Sequence, residues 1–93
     1  MTTRVFHSPR AGIEIEEIAA YLAEQSIPAA QRFLRALERA RQLLSEYPNS
    51  GRPGLSPGTR RLVVGDYIVS YRRRESDVEI FAVRHACRRD ARL

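Results

Sequence analysis

The chain has 93 residues and a net charge of +5, from sixteen basic and eleven acidic side chains. This length suits one small domain over residues 1–93, and the single cysteine excludes an internal disulfide and leaves too few ligands for a structural zinc site. Because no apolar run approaches the roughly 20 residues of a membrane span and the N-terminus lacks the apolar stretch of a signal peptide, we expect a cytoplasmic protein without a metal or other cofactor.

The first half of the chain predicts a strand followed by two helices. Residues 3–7 are a short run that includes β-branched side chains, which is typical of a short strand. Ser8, followed by a proline, predicts a helix start, and apolar residues then recur at helical spacing to about Gln25. Ile27 precedes a proline, which disfavours helical geometry, so the first helix ends before it and a second runs to about Glu46. The short connection predicts an antiparallel helical hairpin.

The second half predicts a turn-rich connector and three strands. The segment PNSGRPGLSPG contains three prolines and three glycines, and we interpret it as an ordered surface loop. The segments RRLVV, YIVSYRR and VEIFAVRH predict strands, the first two joined by a tight turn at Gly65 and Asp66. The predicted fold is therefore α+β with the order β-α-α-β-β-β, in which a helical hairpin packs on one face of a small antiparallel sheet.

Both faces of the predicted sheet carry apolar residues, although the helical hairpin can cover only one face. A sheet with one side in water should alternate apolar and polar residues cleanly. The uncovered face should contain Ile68, Ile80 and Ala82, and we expect it to bind a partner. The alternative is the ordinary apolar content of a protein surface.

The positive charge is concentrated in the second half of the chain. Residues 1–46 hold six arginines and six acidic residues, whereas residues 47–93 hold ten arginines and five acidic residues. A basic surface attracts nucleic acid or acidic proteins. We expect a docking surface for a target on the sheet and the tail, although these side chains could also be solvated strand ends. The expected docking residues are Arg60, Arg61, Arg84, His85, Arg88 and Arg89.

The order and spacing of several segments resemble the ParE branch of the RelE/ParE toxin superfamily. The segments are SPRAGIEIEEIAAYLAE, PAAQRFLRALERARQLLSEYPNSGRP, RRLVVGDYIVSYR and VEIFAVRHACRRD, which together cover nearly the whole chain. The resemblance implies a bacterial toxin of a type II toxin–antitoxin pair, neutralised by the C-terminal segment of a small DNA-binding antitoxin. ParE-like members typically poison DNA gyrase without being nucleases, whereas RelE-like members cleave mRNA in the ribosome.

From the resemblance we expect a hetero-oligomer with a ParD-like antitoxin whose C-terminal segment is acidic and amphipathic. That segment should cover either the sheet face with Ile68, Ile80 and Ala82 or the groove near Tyr21 and Leu22. DNA should be contacted only through the antitoxin or gyrase, because direct binding by this chain is supported by charge alone.

The alternative function is a RelE-like ribosome-dependent endoribonuclease. Such cleavage needs a general base, a general acid and cations that stabilise the charge on phosphorus. The chain has no lysine and no tyrosine after Tyr71, so the only candidate catalytic residues are Arg61, Arg84 and His85. Adjacent residues on a strand point to opposite faces, which separates Arg84 from His85. The sequence therefore favours a toxin that binds its target and has no catalytic residues.

Overall fold

A computed structural model describes residues 3–87 of the chain and contains two helices and five strands. The predicted order β-α-α-β-β-β is confirmed, with one additional two-residue strand in the connector. None of the helices in this part of the chain is long and apolar enough to cross a membrane. The elements are β1 (Val5–His7), α1 (Pro9–Gln25), α2 (Ile27–Glu46), β2 (Arg52–Pro53), β3 (Thr59–Val64), β4 (Tyr67–Arg74) and β5 (Asp77–His85).

Two serine caps define the helical hairpin. The Ser8 hydroxyl accepts a hydrogen bond from the Ala11 amide at 3.1 Å, and the Ser26 hydroxyl accepts one from the Ala29 amide at 3.3 Å. Each cap satisfies an amide that the first helical turn leaves unpaired. Ser26 also ends α1, because its own amide donates to the Leu22 carbonyl at 2.8 Å. One residue therefore separates the two helices, and Ile27, which the sequence predicts outside helical geometry, is the first residue of α2.

The five strands form one sheet in the order β1-β5-β4-β3-β2. Three of the four pairings are antiparallel, but β1 pairs in parallel with β5, from Val5 opposite Val78 to His7 opposite Ile80. The sheet is therefore mixed rather than wholly antiparallel as predicted. Alternating side chains identify a strand but carry no information about the direction of its neighbour. The predicted turn at Gly65 and Asp66 is present, with Gly65 at a φ of +60°.

A β-bulge changes which residues of β5 face the helices. Ser70 lies opposite Ala82, but the next residue, Tyr71, lies opposite Ile80, so Phe81 is the extra residue of the bulge. The bulge reverses the alternation along β5, and Ile80 turns toward the helices, where it is 0% exposed. The prediction that Ile80 lies on the uncovered face is therefore wrong. The prediction assumes that side chains alternate strictly along β5, and this assumption misses the register shift at the bulge.

The core lies between the helices and one face of the sheet. Tyr71 is fully buried there, and its hydroxyl accepts a hydrogen bond from the Gly51 amide at 2.8 Å. Burial raises the pKa of the Tyr71 phenol, so the group is neutral near pH 7. A Cβ on Gly51 would lie 2.7 Å from the Arg61 carbonyl oxygen, so only glycine fits this contact. The remaining core residues are Ala11, Ile15, Phe33, Leu37, Ala40, Leu44, Val64, Val69, Val78, Ile80 and Val83.

Candidate functional site

A cleft of about 510 Å³ lies between the helical hairpin and the turn that joins β3 to β4. Tyr21 and Leu22, which the sequence predicts in an antitoxin-binding groove, both line this helix–sheet cleft. Tyr21 is 58% exposed, so most of its ring is available to a partner. The other lining residues are Ala29, Arg32, Phe33, Arg35, Ala36, Arg39, Val64, Gly65, Asp66, Tyr67 and His85.

Aromatic rings contact one another along the helix–sheet cleft. The ring centroids of Phe33 and Tyr67 are 5.0 Å apart, and those of Tyr67 and His85 are 5.3 Å apart with the planes at 83°. These are the tilted and edge-to-face arrangements that aromatic pairs prefer. Burial raises the pKa of the Tyr67 phenol, and the charge of Asp66 adds to this effect. The cleft therefore offers uncharged aromatic surface to an apolar side chain.

The polar side of the helix–sheet cleft is basic. Arg32, Arg35 and Arg39 of α2 line it, and Asp66 is the only acidic residue among the lining residues. None of these arginines forms an ion pair with another residue of the described chain. These three arginines are not among the binding residues predicted from the sequence, although their spacing of three and four residues puts them on one face of α2. The cleft therefore combines apolar surface with uncompensated positive charge.

The opposite face of the sheet, which we call the outer face, exposes less apolar surface than predicted. Ile68 and Ala82 lie on this face, but both are buried within the chain. Ile68 lies between Val63 and Arg84 on the neighbouring strands, and side chains at such short cross-strand distances cover one another. With Ile80 in the core, none of the three residues predicted on this face is exposed to a partner.

Arg84 and His85 belong to different faces of the sheet but line the same second cleft, of about 480 Å³. Pairing with β1 stops at Ile80, so Glu14 of α1 occupies the open edge of β5. The Glu14 carboxylate accepts a hydrogen bond from the Val83 amide at 2.9 Å and pairs with Arg84 Nε at 3.2 Å. Arg84 is thus a buried residue that ties β5 to α1, which differs from the exposed docking residue that the sequence predicts.

The other predicted docking residues have separate positions. One Arg60 nitrogen donates to the carbonyls of Gly51 and Asn49 at 2.8 and 3.3 Å, which holds the connector against the sheet. Arg61 lies on the outer face opposite Ser70, and its side chain has no hydrogen bond or ion pair within residues 3–87. Arg88 and Arg89 lie outside the described residues.

The three candidate catalytic residues of the nuclease alternative do not form one site. Arg61 is on the outer face, whereas His85 lies opposite Tyr67 and lines the helix–sheet cleft. The second cleft does contain Arg84 and His85, but Glu14 and Glu17 line it too, so its acidic side chains outnumber its arginine. Such a lining repels phosphate. The described residues also contain no cluster of histidine, cysteine and carboxylate side chains that could hold a metal ion.

Comparison with known proteins identifies the family. Residues 5–89 match the family model described as the ParE toxin of the type II toxin–antitoxin system parDE. The chain is 42% identical over 85 residues to the putative toxin Y4kP of Sinorhizobium fredii, covering 89% of this chain and 88% of the relative. It is 34% identical over 79 residues to the toxin RelE2 of Caulobacter vibrioides, covering 85% and 90%.

The fold also matches a solved structure. A chain of the chromosomal ParDE system from P. aeruginosa superimposes with a TM-score of 0.77 and 16% identity, over 89% of this chain and 95% of that one. At this identity the match supports the fold alone, whereas the family model covers nearly all of the sequence. The chain therefore belongs to the ParE toxin family of type II toxin–antitoxin systems.

Proposed function

We propose that this toxin inhibits DNA gyrase by binding it, without cleaving nucleic acid, and that a ParD-like antitoxin neutralises it. The observation that carries the proposal is the match of the ParE family model to residues 5–89. Gyrase is proposed as the target because the sequence resembles the gyrase-poisoning branch of the superfamily.

A binding mode is supported by the separation of the candidate catalytic residues. A nuclease of this kind needs an acid, a base and a cation around one phosphate. Arg61 and His85 lie on opposite faces of the sheet, and Arg84 is paired with Glu14. In such an arrangement, no single phosphate can be contacted by all three side chains without rearrangement of β5.

The helix–sheet cleft is the proposed binding site for the antitoxin segment. An acidic amphipathic segment fits its two properties, since apolar side chains can contact Tyr21 and Leu22 while carboxylates approach Arg32, Arg35 and Arg39. The outer face with Ile68 and Ala82 is a poorer candidate, because both side chains are already buried and Ile80 lies in the core instead.

Among the predicted target-binding residues, Arg61 is the best placed to meet gyrase. It has no intramolecular partner within the described chain, whereas Arg60 and Arg84 are occupied by the connector and by Glu14. His85 borders both clefts and is proposed to contact a partner there. Arg88 and Arg89 remain part of the proposed docking surface on their sequence position and charge alone.

Two activity assays on the purified toxin test the proposal. We expect inhibition of gyrase supercoiling with accumulation of cleaved DNA, and no cleavage of mRNA in the ribosomal A site. His85→Ala should keep substantial inhibition, because a binding surface distributes its free energy over many contacts. Arg84→Ala should do the same when compared at equal amounts of folded toxin, since it also breaks the ion pair with Glu14. Ribosome-dependent cleavage that either substitution lowers by about 10²-fold or more would instead establish the RelE-like function. Arg73→Ala, an exposed arginine outside both clefts, is the matched control.

A further inference from the structure

The outer face of the sheet contains a buried hydroxyl without a hydrogen-bond partner. Ser70 lies in the middle of β4 and is 1% exposed, and its Oγ forms no hydrogen bond within residues 3–87. Buried polar side chains are almost always paired, since an unpaired one has lost its water without compensation. Alanine would fill the same position without this cost. The hydroxyl is therefore open to a hydrogen bond with a bound ligand.

Two uncompensated arginines lie in the same cross-strand row as Ser70. Arg52 of β2 lies opposite Arg61 of β3, Arg61 lies opposite Ser70, and Ser70 lies opposite Ala82 of β5. Directly opposed residues share a face, with Cβ atoms about 5 Å apart. In the part of the chain that the structure describes, neither arginine side chain forms an ion pair. The row therefore joins two guanidinium groups without an ion pair to one buried hydroxyl without a hydrogen-bond partner.

The remaining charged residues near this row are already paired. Arg72 pairs with Glu79 at 2.9 Å and lies over the Phe81 ring, with its guanidinium carbon 5.2 Å from the ring centroid. Arg84 pairs with Glu14. Within residues 3–87 no carboxylate pairs with Arg52 or Arg61, and both arginines line an open cleft of about 490 Å³ at the side of the sheet.

We propose that Arg52, Arg61 and Ser70 form a binding site for a phosphate group. A phosphate oxyanion accepts hydrogen bonds only, which matches a site made of two guanidinium groups and a hydroxyl donor. Ser70 Oγ is buried, so the side chains around it must move before a phosphate can reach the hydroxyl. Arg61 forms no ion pair within residues 3–87 that such a movement would break. The proposal does not depend on gyrase being the target.

Titration with inorganic phosphate at constant ionic strength tests the site directly. In ¹⁵N-labelled toxin, the amide signals of Ser70, Arg61 and Arg52 should shift and saturate. Ser70→Ala and Arg61→Gln should each weaken binding by about tenfold or more, as expected for lost hydrogen bonds to a charged group. Arg73→Gln is the matched control, because Arg73 lies on the opposite face of the same strand and its loss removes the same charge.

The outcomes separate the source of the phosphate from the existence of the site. A short DNA duplex that shifts the same signals at lower concentration than inorganic phosphate identifies a nucleic-acid backbone as the ligand. The reverse order identifies a small phosphorylated molecule. Shifts that do not saturate, or that Arg73→Gln reduces as much as Arg61→Gln does, reflect general charge attraction and overturn the proposal. Unchanged binding by Ser70→Ala would also overturn it.

Discussion

Substitution of Tyr21 by alanine should weaken antitoxin binding without unfolding the toxin. A tyrosine that becomes covered buries about 150–250 Å². Tyr21 is 58% exposed in the free chain, so a partner that fills the helix–sheet cleft can bury about 90–145 Å² more. At about 25 cal/mol per Å², this contact contributes at most about 2–3.5 kcal/mol, an upper limit of about 30- to 400-fold in Kd, because ordering and desolvation of the ring reduce the gain.

Tyr47→Ala provides the matched control for this measurement. Tyr47 has nearly the same exposure, 62%, but lines neither of the two clefts next to the helical hairpin. Calorimetric titration with a peptide of the antitoxin C-terminal segment should give a much weaker Kd for Tyr21→Ala and an unchanged Kd for Tyr47→Ala. Equal Kd values for both variants and the wild type would refute the assignment of the cleft to the antitoxin.

Substitutions at three further positions test the fold. Glu14→Ala should lower the free energy of unfolding, measured by urea titration, by about 2–4 kcal/mol, because the Val83 amide and the Arg84 guanidinium both lose this carboxylate partner. Glu14→Gln should lower it by less, since the amide oxygen can still accept a hydrogen bond. Ile80→Glu should abolish folding, by circular dichroism, rather than merely weaken antitoxin binding. Burial and the charge of Arg41 lower the pKa of His7 below its usual 6.5, and the charge of Glu16 partly opposes them. The unfolded chain therefore binds a proton at His7 more readily than the folded chain does, so stability should decrease as pH falls below about 6.5. His7→Gln should reduce that decrease, and an unchanged pH profile would contradict the assignment to His7.

The helices and the order of the strands could be predicted because their signals are local. Serine followed closely by proline marks the start of both helices, and Gly65 marks the hairpin turn at the residue where a positive φ occurs. The parallel pairing of β1 with β5 depends on contacts between residues more than 70 positions apart. No local pattern carries that information.

The candidate site was only partly predictable for the same reason. The sequence predicts Tyr21 and Leu22 in a groove of the helical hairpin, and both line the cleft. The position of Ile80 depends on the bulge at Phe81, which arises from the pairing of two strands rather than from either strand alone. The pairing of Arg84 with Glu14 joins residues 70 positions apart, so sequence reasoning treated Arg84 as an available cation.

The Glu14 contact links the short first strand to the proposed mode of action. Because β1 ends opposite Ile80, the last residues of β5 would have an open edge, and exposed edges invite pairing with other chains. Glu14 closes this edge at Val83, and the same carboxylate neutralises Arg84. Arg84 is therefore occupied in holding α1 to β5 and is not available to stabilise a phosphate beside His85. A single contact thus stabilises the end of the sheet and disfavours catalysis there, which is consistent with a toxin that acts by binding.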